Sequence, residues 1–258
     1  MTLARAALFN LYFVLLTLVM GMAAFWVRLF GRRHALRYAT LWCSLSIAGL
    51  RRICGIRIEL TGLEHLPEGP VLIASQHQSA FDTLVWLTLL PRPAYVMKRE
   101  LTRLPLVGPM LLLAGMIPVD RDAGARALRN LLRETTRAVE DGRQIVIFPE
   151  GTRVAAGDTA ALQPGVAALA AHSGLPVVPV ATDSGRCWPR NAFIKRPGTI
   201  RIAISPPLPP GLRRQALLDA IRQAWQVEQD HMGYETTEPP IARCKHVDNS
   251  VGGPPVLS

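Results

Sequence analysis

Short apolar runs alternate with amphipathic stretches along most of this chain, and this alternation limits the folds that it can adopt. Apolar runs of this length are typical of strands, and we predict strands at residues 56–60, 71–75, 94–98, 116–120, 144–148, 177–181 and 199–204. Helical periodicity predicts helices at residues 83–90, 124–141, 162–173 and 211–229. Strands that alternate with helices indicate an α/β fold with a largely parallel sheet flanked by helices.

The N-terminus is strongly apolar. Between residues 6 and 27 only Asn10 and Thr17 are clearly polar, and as a helix this run would measure roughly 33 Å, enough to cross a bilayer. Its length and the basic cluster after it disfavour a secretory signal peptide. A second run, 38–50, is too short to span and favours a re-entrant or interfacial helix. The alternative is a buried first helix of the soluble domain.

Charge is distributed unevenly along the chain, whose net charge is +10. No acidic residue precedes Glu59, although this stretch contains Arg5, Arg28, Arg32, Arg33, Arg37, Arg51, Arg52 and Arg57. Such a bias predicts an anionic partner surface, and we expect membrane phospholipid. Aromatic residues make up only 6% and do not interleave with basic ones, which argues against nucleic acid. The arginines after the apolar run predict an inner-membrane protein with the C-terminal bulk of the chain on the cytoplasmic side.

We divide the chain into membrane-anchoring apolar helices at 1–53, an α/β domain at 54–229 and a loosely ordered tail at 230–258. The tail is polar and aperiodic, which is typical of segments that cannot bury a core. The 4 cysteines form no Cys-x-x-Cys pair, so we expect neither a disulfide framework nor a metal site.

The segment after the second predicted strand carries a histidine and an aspartate, His77 and Asp82, five positions apart. On one continuous helix their side chains would point roughly 140° apart and could not meet. If His77 lies in the turn and Asp82 in the first turn of the next helix, they can pair. An imidazole held by a carboxylate is a general base for a hydroxyl group. The competing interpretation is a turn histidine beside a helix-capping aspartate.

Two further polar segments follow predicted strands. Phe148–Arg153 has the sequence Phe-Pro-Glu-Gly-Thr-Arg, and Gly115–Arg121 ends in Asp-Arg. Ligands of open α/β sheets bind beyond the carboxyl ends of the strands, where both segments would lie near His77. The planar guanidinium of Arg153 suits a phosphate group. Arg121 is either a second part of such an anion site or an exposed charge.

Together these segments resemble the ordered blocks of the glycerolipid acyltransferase family, and most of all its bacterial 1-acylglycerol-3-phosphate acyltransferases. The resemblance covers roughly residues 71–180. The four blocks correspond to His77–Asp82, Gly115–Arg121, Phe148–Arg153 and Val177–Pro179.

This resemblance implies transfer of a fatty acyl group from a thioester to the sn-2 hydroxyl of the lysophospholipid lysophosphatidic acid. The donor substrate would be acyl-CoA or an acyl carrier protein, with no further cofactor. It also implies an N-terminal membrane-docking helical hairpin. His77 would be the base and Asp82 its orienting carboxylate. The substrate phosphate would be bound by Arg153, Gly151, Glu150, Thr152 and Arg121.

Some positions depart from the family's pattern. Gln76 stands where asparagine is common, Pro118 and Val119 replace an aromatic and an aliphatic residue, and Gln163 and Pro164 occupy a segment where lysine is frequent before the glycine. These departures leave the acceptor open, with lyso-ornithine lipid, another lysophospholipid or glycerol 3-phosphate as alternatives. A non-catalytic membrane-associated lipid-binding protein on the same fold also remains possible at this point.

Overall fold

One mixed sheet organises the protein, for which the computed structural model describes residues 2–27, 32–105, 107–120 and 123–233. The strands are β1 (Ile56–Thr61), β2 (Leu72–Ser75), β3 (Pro93–Lys98), β4 (Ile117–Val119), β5 (Gln144–Ile147), β6 (Val177–Thr182) and β7 (Gly198–Ile204). Within the described ranges all 7 belong to one sheet, in the order β1-β7-β6-β2-β5-β3-β4.

Helices connect most of these strands. They are α1 (Thr2–Val27), α2 (Arg32–Cys54), α3 (Phe81–Leu89), α4 (Gly108–Leu113), α5 (Gly124–Glu140), α6 (Gly165–Ser173), α7 (Ser184–Cys187) and α8 (Arg214–His231). Each predicted strand and helix is present with shifted ends, whereas α4 and α7 were not predicted. The predicted tail lies outside the described residues from residue 234 onward.

The prediction of a largely parallel sheet is confirmed. β2 pairs in parallel with both β5 and β6, and β3 pairs in parallel with β4 and β5. The exception is β7, which runs antiparallel to β6 and carries β1 in parallel on its outer side. One end of the sheet therefore carries the carboxyl ends of β2, β5, β3 and β4, and β2 and β5 are direct neighbours there.

Apolar side chains cover both faces of the sheet, because successive strand residues point to opposite sides. On one face Ile73 packs in a cluster with residues of α2 and α3, including Leu50 and Trp86. On the other face Leu72 packs with residues of α5, α6 and α8, including Trp225. The strands of the centre are buried on both faces, which explains why their sequences are continuous apolar runs.

The helices α1 and α2 form a hairpin against the first of these faces. Tyr12 and Tyr38 donate their hydroxyls across it, to the carbonyls of Leu45 (2.9 Å) and Met20 (2.7 Å) respectively. A Cβ atom at Gly49 would lie 2.2 Å from the ring of Tyr12, so the close approach of the two helices there requires glycine.

α1 is the one helix in the described residues that is long and apolar enough to cross a membrane. Its outward face carries large apolar side chains, each of them at least 46% exposed. They are Leu3, Leu8, Leu11, Val14, Leu15, Leu18, Val19, Met22, Phe25 and Trp26.

The second apolar run of the sequence is part of α2, which is longer than the run itself. Cys43, Ile47 and Leu50 on this helix are buried in the cluster that covers the sheet. This packing agrees with the alternative interpretation of the run, a buried first helix of the soluble domain. Part of the predicted anchoring region therefore contributes to the core of the α/β domain. The domain boundary at residue 53 itself stays a prediction.

Candidate active site

The turn between β2 and α3 brings His77 and Asp82 together. His77 Nδ1 lies 3.2 Å from Asp82 Oδ2, with His77 in the turn and Asp82 in the first turn of α3. The strand–turn–helix arrangement predicted from their spacing is therefore correct. Only 15% of the His77 side chain is exposed, and only 3% of that of Asp82.

Asp82 is buried, and its carboxylate is satisfied by the turn that it closes. Besides the His77 ring, its Oδ2 atom accepts the backbone N–H groups of Gln78 (2.7 Å) and Ser79 (2.8 Å). A negative charge at the N-terminus of a helix also interacts favourably with the helix dipole. The carboxylate thus fixes both the turn and the ring. With Nδ1–H donating to Asp82, the His77 Nε2 atom carries the free electron pair of a base.

Glu150 also fixes the histidine, from the loop that follows the neighbouring strand β5. Its Oε2 atom accepts the backbone N–H of His77 at 2.6 Å, and the residue is only 7% exposed. Burial raises the pKa of this carboxyl to about 8, against the lowering effect of the hydrogen bond from His77, and the nearby charge of Asp82 raises it further. The resemblance assigned Glu150 to the phosphate pocket, whereas its carboxyl group points to the main chain of the histidine.

The loop after β5 holds His77 from two more directions. The Phe148 ring stacks on the imidazole at a centroid distance of 4.2 Å, and the N–H of Val154 donates to the His77 carbonyl at 2.8 Å. Together with Glu150, these contacts set the distance between the histidine turn and the residues that follow β5. The imidazole therefore has a fixed ring plane and a fixed main chain.

Gln76 and Gln78 were not predicted as site residues, yet both anchor the turn. Gln76 Oε1 accepts the N–H of Thr182 (3.1 Å) and the side-chain amide of Gln229 (3.3 Å), which joins the turn to β6 and α8. Gln78 Oε1 accepts the N–H of Gly185 at 3.1 Å. The sequence signal was the unusual density of polar residues directly after a buried strand.

Arg153 lies further along the same loop and is partly exposed. No carboxylate in the described part of the chain forms an ion pair with it, so the guanidinium is available to an anion from solution. Gly151 has a φ of 71°, in the left-handed region that favours glycine, and it turns the chain between Glu150 and Arg153. Thr152 is exposed beside Arg153.

The second predicted arginine, Arg121, lies outside the described residues. Its neighbour Asp120 follows β4 and pairs with Arg99 at 3.0 Å. β4 is the edge strand, and β3 lies between it and β5. The carboxyl end of β4, which Asp120 follows, is therefore roughly 10 Å from the carboxyl end of β5, two strand spacings away. Lys98 ends β3 between them and is exposed.

A mostly apolar cavity of about 850 Å³ opens between α5 and α6 and reaches this site. Leu128 and Leu131 of α5 and Ala167 of α6 line its walls, and Phe148 and Gly151 lie at the end near the histidine. Leu128 is 40% exposed because it faces this cavity. Leu131, Thr135 and Ala138 on the same helix are buried, and Leu132 and Val139 are half-buried.

Comparison with known proteins agrees with this architecture. Residues 57–183 match the family model described as Acyltransferase. The 1-acyl-sn-glycerol-3-phosphate acyltransferase of Pseudomonas aeruginosa is 37% identical over 190 residues, which cover 72% of this chain and 74% of that protein. The 1-acyl-sn-glycerol-3-phosphate acyltransferase alpha of Bos taurus is 30% identical over 189 residues, 70% of this chain and 65% of that protein.

The fold is also similar to a solved structure, that of the 1-acyl-sn-glycerophosphate (LPA) acyltransferase PlsC from Thermotoga maritima. The two superpose with a TM-score of 0.74 at 20% identity, over 92% of this chain and all of that one. The aligned 92% of this chain is longer than the α/β domain predicted at residues 54–229. The similarity therefore includes residues of the α1–α2 hairpin as well as the sheet.

The raised pKa of Glu150 predicts a pH-dependent stability. The folded protein keeps the proton on Glu150, whereas the unfolded chain releases it above the ordinary glutamate pKa of about 4.3. The contribution of this group to the free energy of unfolding is therefore complete at low pH. It is lost as the pH rises towards about 8, the folded pKa. In detergent, the thermal midpoint of the wild type should therefore fall over this range. The corresponding loss in the free energy of unfolding is roughly 2–5 kcal/mol.

Glu150→Gln is the matched variant, because it preserves the shape and cannot ionise. Its thermal midpoint should change less with pH over the same window. Parallel pH profiles for both proteins would show that the Glu150 carboxyl does not hold this proton.

Proposed function

The chain belongs to the acyltransferase family, and we propose that it transfers a fatty acyl group from a thioester to the sn-2 hydroxyl of 1-acylglycerol 3-phosphate, giving phosphatidic acid. The observation that carries this proposal is the His77 ring, held at Nδ1 by a buried carboxylate with Nε2 directed away from it. The names of the similar bacterial and bovine proteins support the choice of acceptor.

In the proposed reaction His77 acts as the general base. Nε2 takes the proton of the acceptor hydroxyl while the oxygen attacks the thioester carbonyl, and Asp82 stabilises the imidazolium that forms. Collapse of the tetrahedral intermediate breaks the carbon–sulfur bond. The imidazolium returns the proton to the leaving thiolate, so the products are an ester and a free thiol.

The negative charge on the tetrahedral oxygen needs a hydrogen-bond donor. The main-chain N–H groups of the histidine turn do not meet this need, because Asp82 accepts those of Gln78 and Ser79 and Glu150 accepts that of His77. The donor therefore has to come from outside these three groups, or from the substrates.

Arg153 is the proposed ligand of the acceptor phosphate. It has no carboxylate partner in the described residues, and it adjoins Val154, whose N–H binds the His77 carbonyl. A phosphate bound there would lie close to His77. The acceptor hydroxyl of the same molecule would then be held within reach of the His77 ring. Arg121 is the proposed second ligand. Lys98, which ends β3, is exposed and lies 4.0 Å from the Glu100 carboxylate.

The cavity between α5 and α6 is the proposed site of a fatty acyl chain. Its lining is mostly apolar, and it reaches Phe148, which stacks on His77. Acyl-CoA or an acyl carrier protein would supply the thioester. The reaction requires no further cofactor in this scheme.

The apolar face of α1 supports association with a membrane, as does the bilayer location of the lysophospholipid acceptor and of the phospholipid product. The excess of arginine after α1 supports the inner membrane with the site on its cytoplasmic side.

Substitution of the pair tests the catalytic assignment. Removing a general base typically costs about 10²–10⁴ in rate, and we expect losses of this order in kcat for His77→Ala and somewhat smaller ones for Asp82→Asn. The double variant should be no slower than His77→Ala, because the two side chains act as one unit. Acyl transfer from acyl-CoA to 1-acylglycerol 3-phosphate is the measurement.

Ser79 offers a matched control in the same turn. Its hydroxyl accepts the N–H of Phe81 at 3.2 Å and is buried, so it has a structural role at the start of α3. Ser79→Ala should retain activity within about tenfold of the wild type, the cost of one lost cap. Loss of all transfer in Ser79→Ala, with near-normal rates in His77→Ala, would instead indicate an acyl-serine intermediate.

Arg153→Ala tests the phosphate site. We expect the KM for 1-acylglycerol 3-phosphate to rise about tenfold or more, the usual effect of losing a hydrogen bond to a charged group. The KM for the acyl donor should stay unchanged. Arg129→Ala is the control, since Arg129 is exposed on α5 away from the histidine turn.

The same variant should lose its preference among acceptors. Wild type and Arg153→Ala are compared on 1-acylglycerol 3-phosphate, uncharged 1-acylglycerol, lyso-ornithine lipid and glycerol 3-phosphate. Equal effects of the substitution on the phosphorylated and uncharged acylglycerols would place the phosphate elsewhere. Faster transfer to lyso-ornithine lipid by the wild type would replace the proposed acceptor.

A further inference from the structure

The loop between α7 and β7, residues 189–197, carries two exposed apolar side chains at its tip. Phe193 is 55% exposed and Ile194 is 42% exposed. The chain turns sharply before them, where Asn191 adopts a left-handed conformation (φ 57°) and Ala192 N–H donates to the Pro189 carbonyl at 3.2 Å. Single exposed apolar residues are ordinary on protein surfaces, so the position of this pair matters more than its exposure.

The tip is tied to α1 through the most polar residue of that helix's apolar run. The Asn10 side-chain amide donates to the Phe193 carbonyl at 3.1 Å, and its Oδ1 atom accepts a hydrogen bond from Lys195 Nζ. Lys195 also donates to the Phe193 carbonyl at 3.0 Å. Asn10 therefore has a specific structural partner, which explains a polar residue within an otherwise apolar segment.

Lys195 is buried beneath the tip, with an exposure of only 4%. Its ammonium group lies over the rings of Trp188 (5.2 Å to the centroid) and Phe9 (5.7 Å), and burial lowers the pKa of this lysine. A lysine normally extends into water, whereas this one is enclosed by the loop and α1. The enclosure holds the main chain of the tip against α1 at Asn10.

The loop's surroundings are cationic. Residues 184–218 contain no aspartate or glutamate, and Arg190 and Arg196 are exposed on either side of the tip. The first 58 residues, which include α1, also lack acidic residues. An apolar tip flanked by arginines complements an anionic phospholipid surface, because the apolar groups enter the interface while the guanidinium groups meet phosphates.

The other end of the loop touches the candidate phosphate site. Arg190 Nη1 donates to the carbonyl of Arg153 at 3.1 Å. One short loop thus contacts both α1 and the residue assigned to the acceptor phosphate.

We propose that the Phe193–Ile194 tip inserts into the interface of an anionic bilayer beside α1 and sets the mouth of the active site against that leaflet. The lysophospholipid then reaches Arg153 and His77 from the leaflet without passing through water. This second step rests on the proposed function, whereas insertion of the tip does not.

An environment-sensitive fluorophore on Ile194→Cys tests insertion in the full chain. Cys43, Cys54 and Cys187 are buried, and Cys244→Ser removes the remaining cysteine. Vesicles of phosphatidylcholine with about one third phosphatidylglycerol should shift the emission to the blue and increase it several-fold, more than neutral vesicles do. A quencher attached to the lipid should reduce the signal.

The matched control is the same label on Val227→Cys. Val227 is 46% exposed on α8, which packs on the opposite face of the sheet from α1. Its emission should not respond to vesicles. Equal responses at the two positions, or none at residue 194, would overturn the proposal. A response that grows with protein concentration in the absence of lipid would identify a second copy as the occupant, and would overturn it as well.

The double variant Phe193→Ser/Ile194→Ser tests the consequence for catalysis. We expect about a tenfold lower rate on acceptor embedded in anionic vesicles, with an unchanged rate on acceptor dispersed in detergent. An unchanged rate on vesicles would contradict the positioning of the site by the loop. Absence of transfer by the wild type on both acceptors would refute the proposed function, and the fluorescence result would still decide whether the tip inserts.

Discussion

The buried carboxylate of Asp82 is the interaction on which the candidate site depends. One oxygen accepts the Nδ1–H group of His77 and two main-chain N–H groups of the turn. A charge this deeply buried is tolerated only when hydrogen bonds replace the water that it has lost. The same bonds that satisfy the charge therefore determine the course of the turn and the orientation of the imidazole.

The sheet supplies the second half of the site. β5 lies beside β2, so the loop after β5 reaches His77 through Glu150, Phe148 and Val154. Arg153 follows on the same loop, and its carbonyl is bound by Arg190 from the loop that meets α1. A continuous set of contacts thus joins the membrane-facing helix, the proposed phosphate ligand and the proposed base.

Sequence patterns were sufficient for the strands, because the apolar runs at residues 144–147 and 177–182 are distinct in composition from what surrounds them. The meeting of His77 and Asp82 was predicted from their spacing together with the apolar strand before them, with a helix-capping aspartate as the competing interpretation. The order of the strands could not be predicted, because it depends on tertiary packing that no local pattern contains. α4 and α7 were missed for a related reason, since helices of 6 and 4 residues are too short to show periodicity.

The direction in which individual side chains point could not be predicted from the sequence either. Glu150 belongs to the segment that resembles a phosphate-binding block, yet its carboxyl group points inward to the His77 N–H. Asn10 looked like an isolated polar residue until the structure placed Lys195 and Phe193 against it. In both cases the partner lies more than 70 residues away along the chain, and only the folded arrangement of the strands and helices identifies it.

The tautomer of His77 tests directly whether Asp82 prepares the ring to act as a base. It is measured by ¹H–¹⁵N NMR on protein labelled at histidine nitrogen, with His77→Gln to assign the signal. In the neutral ring we expect the proton on Nδ1 and an unprotonated Nε2, and we expect Asp82→Asn to shift the ring towards a mixture of both forms. A neutral ring protonated on Nε2, unchanged by Asp82→Asn, would contradict the assignment of Asp82 as the group that prepares His77 to act as a base.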